Sequence, residues 1–324
     1  MNKKRITFLC PKSQDSFLLP IIEYFTKHNE YKAIHYHGGD DQDFYKTLQS
    51  SDIAWYEWAN QDVVNISRGP RYSKQICRLH SYEFFEGLHL QINWNKFDRL
   101  VVVNDSLKEL ILGGIQNMIP PLKISPDFIE VIPNGVDVSK FNFNENKTYN
   151  KKIAFIGFVN HKKSPDLLIQ CFNAIHKLDP EFTFHMAGLY QDPRTLLTFR
   201  YLEKYLDFPI NYDGYIEDVN DYFADKDYVI STSSFESFHY SIAEGMASGC
   251  FPLVYNWFGS DNIYPRENIF TTTNQLVSIV EKINNSNPNE IMEQRNKARK
   301  YIVDNFSLDG QLKDIERLFK NILE

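Results

Sequence analysis

Glu236 and Glu244, with seven residues between them, lie in the segment 233–249, SSFESFHYSIAEGMASG. The apolar run at 227–231 predicts a strand ahead of this segment, and 240–248 predicts a helix within it. Glu236 then falls on the strand-to-helix loop, and Glu244 on the second turn of the helix. The backbone amides of Phe238, His239, Tyr240 and Ser241 are the free donors of that helix N-terminus, a ready place for an anion. Such a loop and helix can cradle a diphosphate while the two carboxylates accept hydrogen bonds from hydroxyls on either side of it. Sugar and ribose hydroxyls suit that arrangement. Two glutamates on a surface helix would show the same spacing. The context adds weight, because small residues Ala247, Ser248 and Gly249 follow, and then a second predicted strand at 251–255.

These groups must be held by the elements around them. A chain of 324 residues, 43% hydrophobic and 24% charged, has ample material for two globular domains. In the first half, strands are expected at 5–10, 31–36, 52–56, 75–79 and 99–103, with helical patterns at 17–28 and 106–112 between them. A further apolar run at 128–132 ends in Pro133-Asn-Gly135, a turn signal. The polar stretch 142–152 reads as a linker. The pattern then restarts, with strands at 153–156, 183–187, 227–231 and 251–255 and helices at 166–177, 193–206 and 240–248. Two more helices, 289–305 and 308–323, close the chain. Alternating strands and helices predict two parallel, doubly wound sheets. The domains would span 1–145 and 151–305, with a ligand held between them at the carboxyl ends of the strands.

The net charge of −7 argues against a dedicated nucleic-acid binder. Arg68, Arg71, Lys74 and Arg78 form a local basic cluster. It reads as a solvated face or as a site for a phosphorylated acceptor or an anionic membrane surface. Cys10, Cys77, Cys171 and Cys250 lack metal-ligand spacing and read as buried free thiols. The apolar run before Pro11 is too short for a signal peptide, and no stretch approaches a membrane span. The expected compartment is the cytoplasm, with peripheral association at the inner face of the membrane left open by the basic cluster.

The sequence resembles the family-4 retaining glycosyltransferases, of GT-B architecture: two facing Rossmann-like domains with a C-terminal helix returning to the first. That family's loop reads Glu-Gly-Phe-Gly, and its helix Leu-Glu-Ala-Met-Ala-x-Gly-x-Pro. Here they read Glu236-Ser-Phe-His239 and Ala243-Glu-Gly-Met-Ala-Ser-Gly-Cys-Phe-Pro252. Val131-Ile-Pro-Asn-Gly-Val-Asp137 matches the segment before the family's linker. Ala154-Phe-Ile-Gly157, followed by Lys163, matches the first strand and phosphate loop of its second domain. Met186-Ala-Gly188, Tyr212-Asp-Gly-Tyr215 and Val101-Val-Val-Asn-Asp-Ser-Leu-Lys108 match further strand ends. The likeness covers roughly residues 75–310.

The resemblance implies roles. Glu236 would orient the donor sugar, Glu244 would hold the ribose, and Lys163 would offset charge on the departing diphosphate. Gly157 and Tyr215 would lie along the nucleotide, and His80 near the reacting centre, with Ser81-Tyr82-Glu83 opening a loop. The reaction implied is sugar transfer from a nucleotide-diphosphate donor, UDP-linked by expectation, to a glycan, lipid-linked or protein acceptor. The sugar would be a hexosyl or N-acetylhexosaminyl group. The anomeric configuration would be retained, with no metal and no other cofactor, and Asp40, Asp41 and Asp43 read as loop charges. Three departures stand against the pattern. Phe158 replaces the usual Arg, Ser237 and His239 replace the loop glycines, and Cys10-Pro-Lys-Ser-Gln14 replaces a glycine-rich loop. They support an alternative, an accessory subunit that binds a partner glycosyltransferase or its protein substrate. The last helix is expected to cross back to the first domain through its face of Leu312, Ile315, Leu318 and Phe319.

Overall fold

The computed structural model describes residues 3–324, and of Ser13 and Asp41 the backbone alone. The chain divides into two compact units, one of Met1–Pro133 with Asp309–Glu324, the other of Asn134–Leu308.

In the first unit, strands β1 (Lys4–Leu9), β2 (Tyr31–Tyr36), β3 (Ile53–Tyr56), β4 (Lys74–Leu79), β5 (Arg99–Val102) and β6 (Ile129–Val131) alternate with helices. The helices are α1 (Leu19–Lys27), α2 (Asp41–Gln49), α3 (Gln61–Ile66), α4 (Ser81–Glu86) and α5 (Asp105–Gly113). The strands pair in parallel in the order β2-β1-β3-β4-β5-β6. Because helices cover both faces, a central strand is apolar along its whole length, as in Ile53-Ala-Trp-Tyr56, where every residue is buried. Asp40, expected in a loop, caps α2 by accepting from the Asp43 amide at 2.8 Å; the Asp41 side chain lies outside the described residues. Ser81-Tyr82-Glu83 begins a helix rather than a loop.

The second unit contains β7 (Lys152–Ile156), β8 (Thr183–Ala187), β9 (Ile210–Gly214), β10 (Tyr228–Ser231), β11 (Phe251–Tyr255) and β12 (Ile269–Phe270). Its helices are α6 (Pro165–Leu178), α7 (Pro193–Glu203), α8 (Val219–Phe223), α9 (Tyr240–Ala247), α10 (Thr273–Asn284) and α11 (Pro288–Asn305). The sheet is again parallel, in the order β12-β11-β10-β7-β8-β9. The last helix, α12 (Leu308–Leu323), packs in the first unit. Its Phe319 ring lies 5.0 Å from Phe25, 5.8 Å from Trp55 and 6.3 Å from Phe8. The final helix therefore does return to the first domain.

Two readings of the sequence need correction. The stretch 142–152 is fastened to the second unit instead of linking the two. Lys147 Nζ donates to the Phe223 carbonyl at 3.1 Å, the Tyr149 hydroxyl meets that of Tyr228 at 2.7 Å, and the buried Arg295 donates to the Lys147 carbonyl. Several of its polar groups thus bond to protein, which composition cannot distinguish from bonding to water. The chain instead changes unit at Pro133/Asn134 and Leu308/Asp309. There Val136 and Ser307 pair as parallel bridge partners, and a Cβ on Gly135 would sit 2.6 Å from the Leu308 Cα, so only glycine fits. The basic cluster also dissolves. Arg78 is fully buried against Glu57 at 3.4 Å, while Arg71 pairs with Asp98 and Lys74 approaches it at 3.6 Å.

All four cysteines are free and buried. Among the described residues, no helix is long and apolar enough to cross a membrane.

Candidate functional site

In an open parallel sheet, neighbouring strands whose connections leave in opposite directions open a crevice at their carboxyl ends. In the second unit those strands are β7 and β10. The loop after β7 forms a short turn at His161–Lys163, capped by Asn160. The loop after β10 runs from Thr232 to His239 and leads into α9. Hydrogen bonds join the two: Thr232 Oγ1 donates to the Lys163 carbonyl at 2.7 Å, and the Ser234 amide to the Lys162 carbonyl at 2.8 Å.

This fastening brings Lys163, Lys162, Glu236 and His239 together. Lys163 Nζ donates to Glu236 Oε1 at 2.6 Å, and Lys162 Nζ to Glu236 Oε2 at 2.8 Å. Lys163 also contacts His239 Nε2 at 3.0 Å, and Ser233 Oγ donates to Glu236 Oε1 at 2.9 Å. Glu236 and Lys163 are 9% and 14% exposed, so the pair works in a largely desolvated setting. Burial alone would raise the Glu236 carboxyl. The surrounding cationic groups (His239 when protonated, then the two lysines) reverse that and hold it ionised far below the usual carboxylate range. Burial and the adjacent Lys163 push His239 down to about 3, so its ring is neutral near pH 7. Burial also lowers Lys163, against the opposing pull of Glu236.

Glu244, on α9, has no such partners. Burial raises its carboxyl to about 7, so it is poised to ionise when hydroxyl donors arrive. Ser241 Oγ donates to the Ile156 carbonyl at 3.1 Å and thereby ties the start of α9 to the end of β7. The floor beside these groups is bare backbone. A Cβ on Gly188 would collide with the carbonyl oxygen of Gly157, and both glycines lie at positive φ, +129° and +147°.

Residues 150–285 match the model of the family described as glycosyl transferases group 1. The match falls within the second unit. A curated relative, the tRNA-queuosine alpha-mannosyltransferase of Drosophila melanogaster, is 29% identical over 120 residues. That alignment covers 36% of this chain and 31% of the relative. Among solved structures, HepE from Anabaena, in complex with UDP and glucose, superposes with a TM-score of 0.75 at 14% identity. The superposition spans 98% of this chain and all of HepE. Sucrose-phosphate synthase from Thermosynechococcus elongatus gives 0.72 at 12% identity, over 99% of each chain. TarM gives 0.68 at 19% identity, over 85% of this chain and 55% of TarM. The chain thus spans about a third of the curated relative's length and just over half of TarM. These likenesses establish the GT-B fold.

Against the pattern of a group 1 glycosyl transferase, two substitutions acquire physical meaning. His239 stands where the family's second loop glycine stands, and its φ of +66° is the left-handed conformation that glycine adopts freely. Tyr264, fully buried, stabilises that turn by donating to the Phe238 carbonyl at 2.5 Å and the His239 carbonyl at 3.0 Å. Nothing in its local sequence marked Tyr264 out. At Phe158 the usual arginine is missing and the ring is 48% exposed. Lys162, one of the cations that could compensate, reaches Glu236, whereas Arg194 is exposed and pairs with Asp192.

The remaining residues singled out from the sequence divide. Phe238 belongs to the core, its ring 5.1 Å from Tyr240 and 5.6 Å from Phe306. Tyr215, 65% exposed, follows β9, two strands from β7 and so about 10 Å away by strand spacing. His80 lies in the first unit at the end of β4. Its Nε2 meets Glu57 Oε1 at 2.9 Å, and its ring lies 4.5 Å from Trp58 and 5.5 Å from Phe17. Glu57, which also accepts from Trp55 Nε1 of the strand it follows at 2.7 Å, escaped notice because its other partners, Arg78 and His80, come from the neighbouring strand β4 and its carboxyl end.

Proposed function

We propose that the chain is a retaining glycosyltransferase that moves a sugar from a nucleotide-diphosphate donor to an acceptor hydroxyl. The observation that carries this reading is the Lys162–Lys163–Glu236 cluster at the carboxyl ends of β7 and β10. Glu244 on the helix that follows supports it. In this reading the start of α9 and the two lysines receive the diphosphate. Glu236 accepts hydrogen bonds from sugar hydroxyls, and Glu244 from the ribose. As the bond to the anomeric carbon breaks, negative charge grows on the leaving phosphate. Lys163, fixed and desolvated, stabilises that charge without reorganising. The leaving phosphate takes the acceptor proton on the same face of the sugar, which retains configuration.

The cations that face the phosphate are side chains, so the reading assigns no metal to the donor. UDP is the proposed carrier, in keeping with HepE and TarM, whose structures were solved in complex with it. A hexose or N-acetylhexosamine is the proposed sugar. The proposed acceptor is a glycan, lipid-linked or protein hydroxyl in cell-surface glycan or glycolipid assembly, with the enzyme in the cytoplasm.

Phe158 favours a second reading, an accessory subunit that keeps the fold and little turnover. A thermal-stability screen against UDP, GDP, ADP and TDP, followed by hydrolysis assays with the matching nucleotide sugars in EDTA, separates the two. The enzyme reading requires a concentration-dependent shift with one nucleotide and turnover of its sugar. A shift without turnover supports the accessory subunit, and the absence of any shift defeats both.

A further inference from the structure

Asp15, His35 and His37 converge at the carboxyl ends of β1 and β2, in the first unit and outside the site described above. His35 Nε2 lies 3.7 Å from Asp15 Oδ2, and His37 Nδ1 lies 3.9 Å from the same oxygen. Neither separation is a hydrogen bond. The three donor atoms all lie within 4.8 Å of one another, and the two imidazole centroids are 3.6 Å apart. His35 Nε2 is buried and has no hydrogen-bond partner, while the backbone of Cys10 engages the ring. We propose that these three side chains bind a zinc ion, with the fourth position left to water or a ligand.

The geometry favours this over an incidental cluster. His35 and His37 are two residues apart along an extended strand end, so both rings leave the same face. Their backbone is fixed by the parallel ladder, in which Phe8 faces His35 and Leu9 faces Tyr36, and by the Cys10 amide donating to the Tyr36 carbonyl at 3.2 Å. Asp15 is held by its own carbonyl, which accepts from the Leu18 and Leu19 amides at 2.8 and 3.0 Å. Zinc takes nitrogen and carboxylate ligands at about 2.0–2.2 Å, which in a tetrahedral site places donor atoms about 3.3 Å apart. The present spacings to the Asp15 oxygen, 3.7 and 3.9 Å, exceed that value by about half an ångström. A neutral imidazole whose other nitrogen faces a backbone carbonyl is the usual form of a histidine ligand. The donor set of two nitrogens and one carboxylate favours zinc over magnesium, which prefers oxygen throughout. Asp15 and His35 are 11% and 13% exposed, whereas His37 is 33% exposed and lines a cavity of about 360 Å³ with Tyr36, Gly38, Tyr45, Trp58 and Asn60. The ion can therefore enter, and its fourth position can be reached, from that side.

The test uses the full chain, stripped by chelator and titrated with zinc chloride against a chromophoric zinc indicator. The expected result is uptake of one zinc per chain, a melting temperature that rises with zinc and not with magnesium, and uptake weakened more than about tenfold in His37→Ala and Asp15→Asn. His37→Ala alters a partly exposed side chain and keeps the test readable if His35→Ala fails to fold. The second group of possible ligands, His28, Glu30 and Glu316, is the control, with Glu316 already bound to Lys320 at 2.7 Å. The proposal is overturned if the chain takes no zinc from the indicator, if His37→Ala binds it as tightly as the parent, or if His28→Ala is the variant that loses it.

Discussion

Lys163 Nζ and Glu236 Oε1 meet at 2.6 Å across 73 residues of chain, in the angle where the second sheet reverses its strand order. The pair is buried, and Lys162 closes on the other carboxylate oxygen. An ammonium so placed is rigid before any ligand arrives.

Lys163→Ala is therefore expected to lower kcat by about 10²–10³, the cost of losing one preorganised donor to developing charge, while the donor KM changes less. Steady-state kinetics over a range of donor concentrations decides the matter. A constant kcat with a raised KM would make Lys163 a ground-state binding group.

Glu236→Ala leaves two lysines facing each other without their shared carboxylate. Removing one member of a buried pair costs about 3 kcal/mol, here moderated because Lys162 can turn toward water. Urea denaturation followed by a probe in the second unit should show that loss. A change below about 1 kcal/mol would mean that the lysines find other partners.

Glu244 gives a pH signature. Its carboxyl is raised from 4.5 to about 7 in the folded protein, so the folded state holds a proton that the unfolded chain releases. This contribution to stability is complete below pH 4.5 and is lost as the pH rises through 7, about 3 kcal/mol in all at 1.36 kcal/mol per unit. Glu244→Gln should therefore be more stable than the parent at pH 8, by an amount that shrinks toward pH 5. It should also bind nucleoside diphosphate less tightly. In the parent, binding near pH 6.5 should release a proton, visible as a calorimetric enthalpy that depends on the buffer. Binding heats independent of the buffer would refute the ribose assignment.

His239→Gly and His239→Ala both remove the imidazole from Lys163, and they differ in how they tolerate a φ of +66°. Glycine should exceed alanine in stability by about 1 kcal/mol, read as a difference in denaturation midpoint. Equal midpoints would show that the turn relaxes once the ring is gone.

Phe319→Ala should destabilise the first unit by about 3–5 kcal/mol, because the ring is fully buried among Phe8, Phe25 and Trp55. Removing all of α12 should leave that unit aggregating while the second still binds nucleotide. A truncated chain that stays monomeric with an unchanged first unit would contradict this role for the helix.

The sequence by itself determined the alternation of buried strands and amphipathic helices, and hence two parallel sheets. Burial on both faces of a strand and on one face of a helix writes a periodic signal into neighbouring residues. It also determined that Glu236 and Glu244 share one loop and helix, because their separation is local, and that Gly157 and Gly188 end strands. The tertiary structure alone decided which residues meet. Lys162 and Lys163 reach Glu236 because β7 lies beside β10, and strand order is set by long-range packing that leaves no local trace. The same holds for Arg78, which looked like surface charge until Glu57 and its buried setting came from neighbouring strands. It holds for the stretch 142–152, whose polar residues suggested a linker until the carbonyls and carboxylates of the second unit supplied their partners. Local composition reports what a residue can bond to, and the partner it finds depends on which distant segments the sheet places beside it.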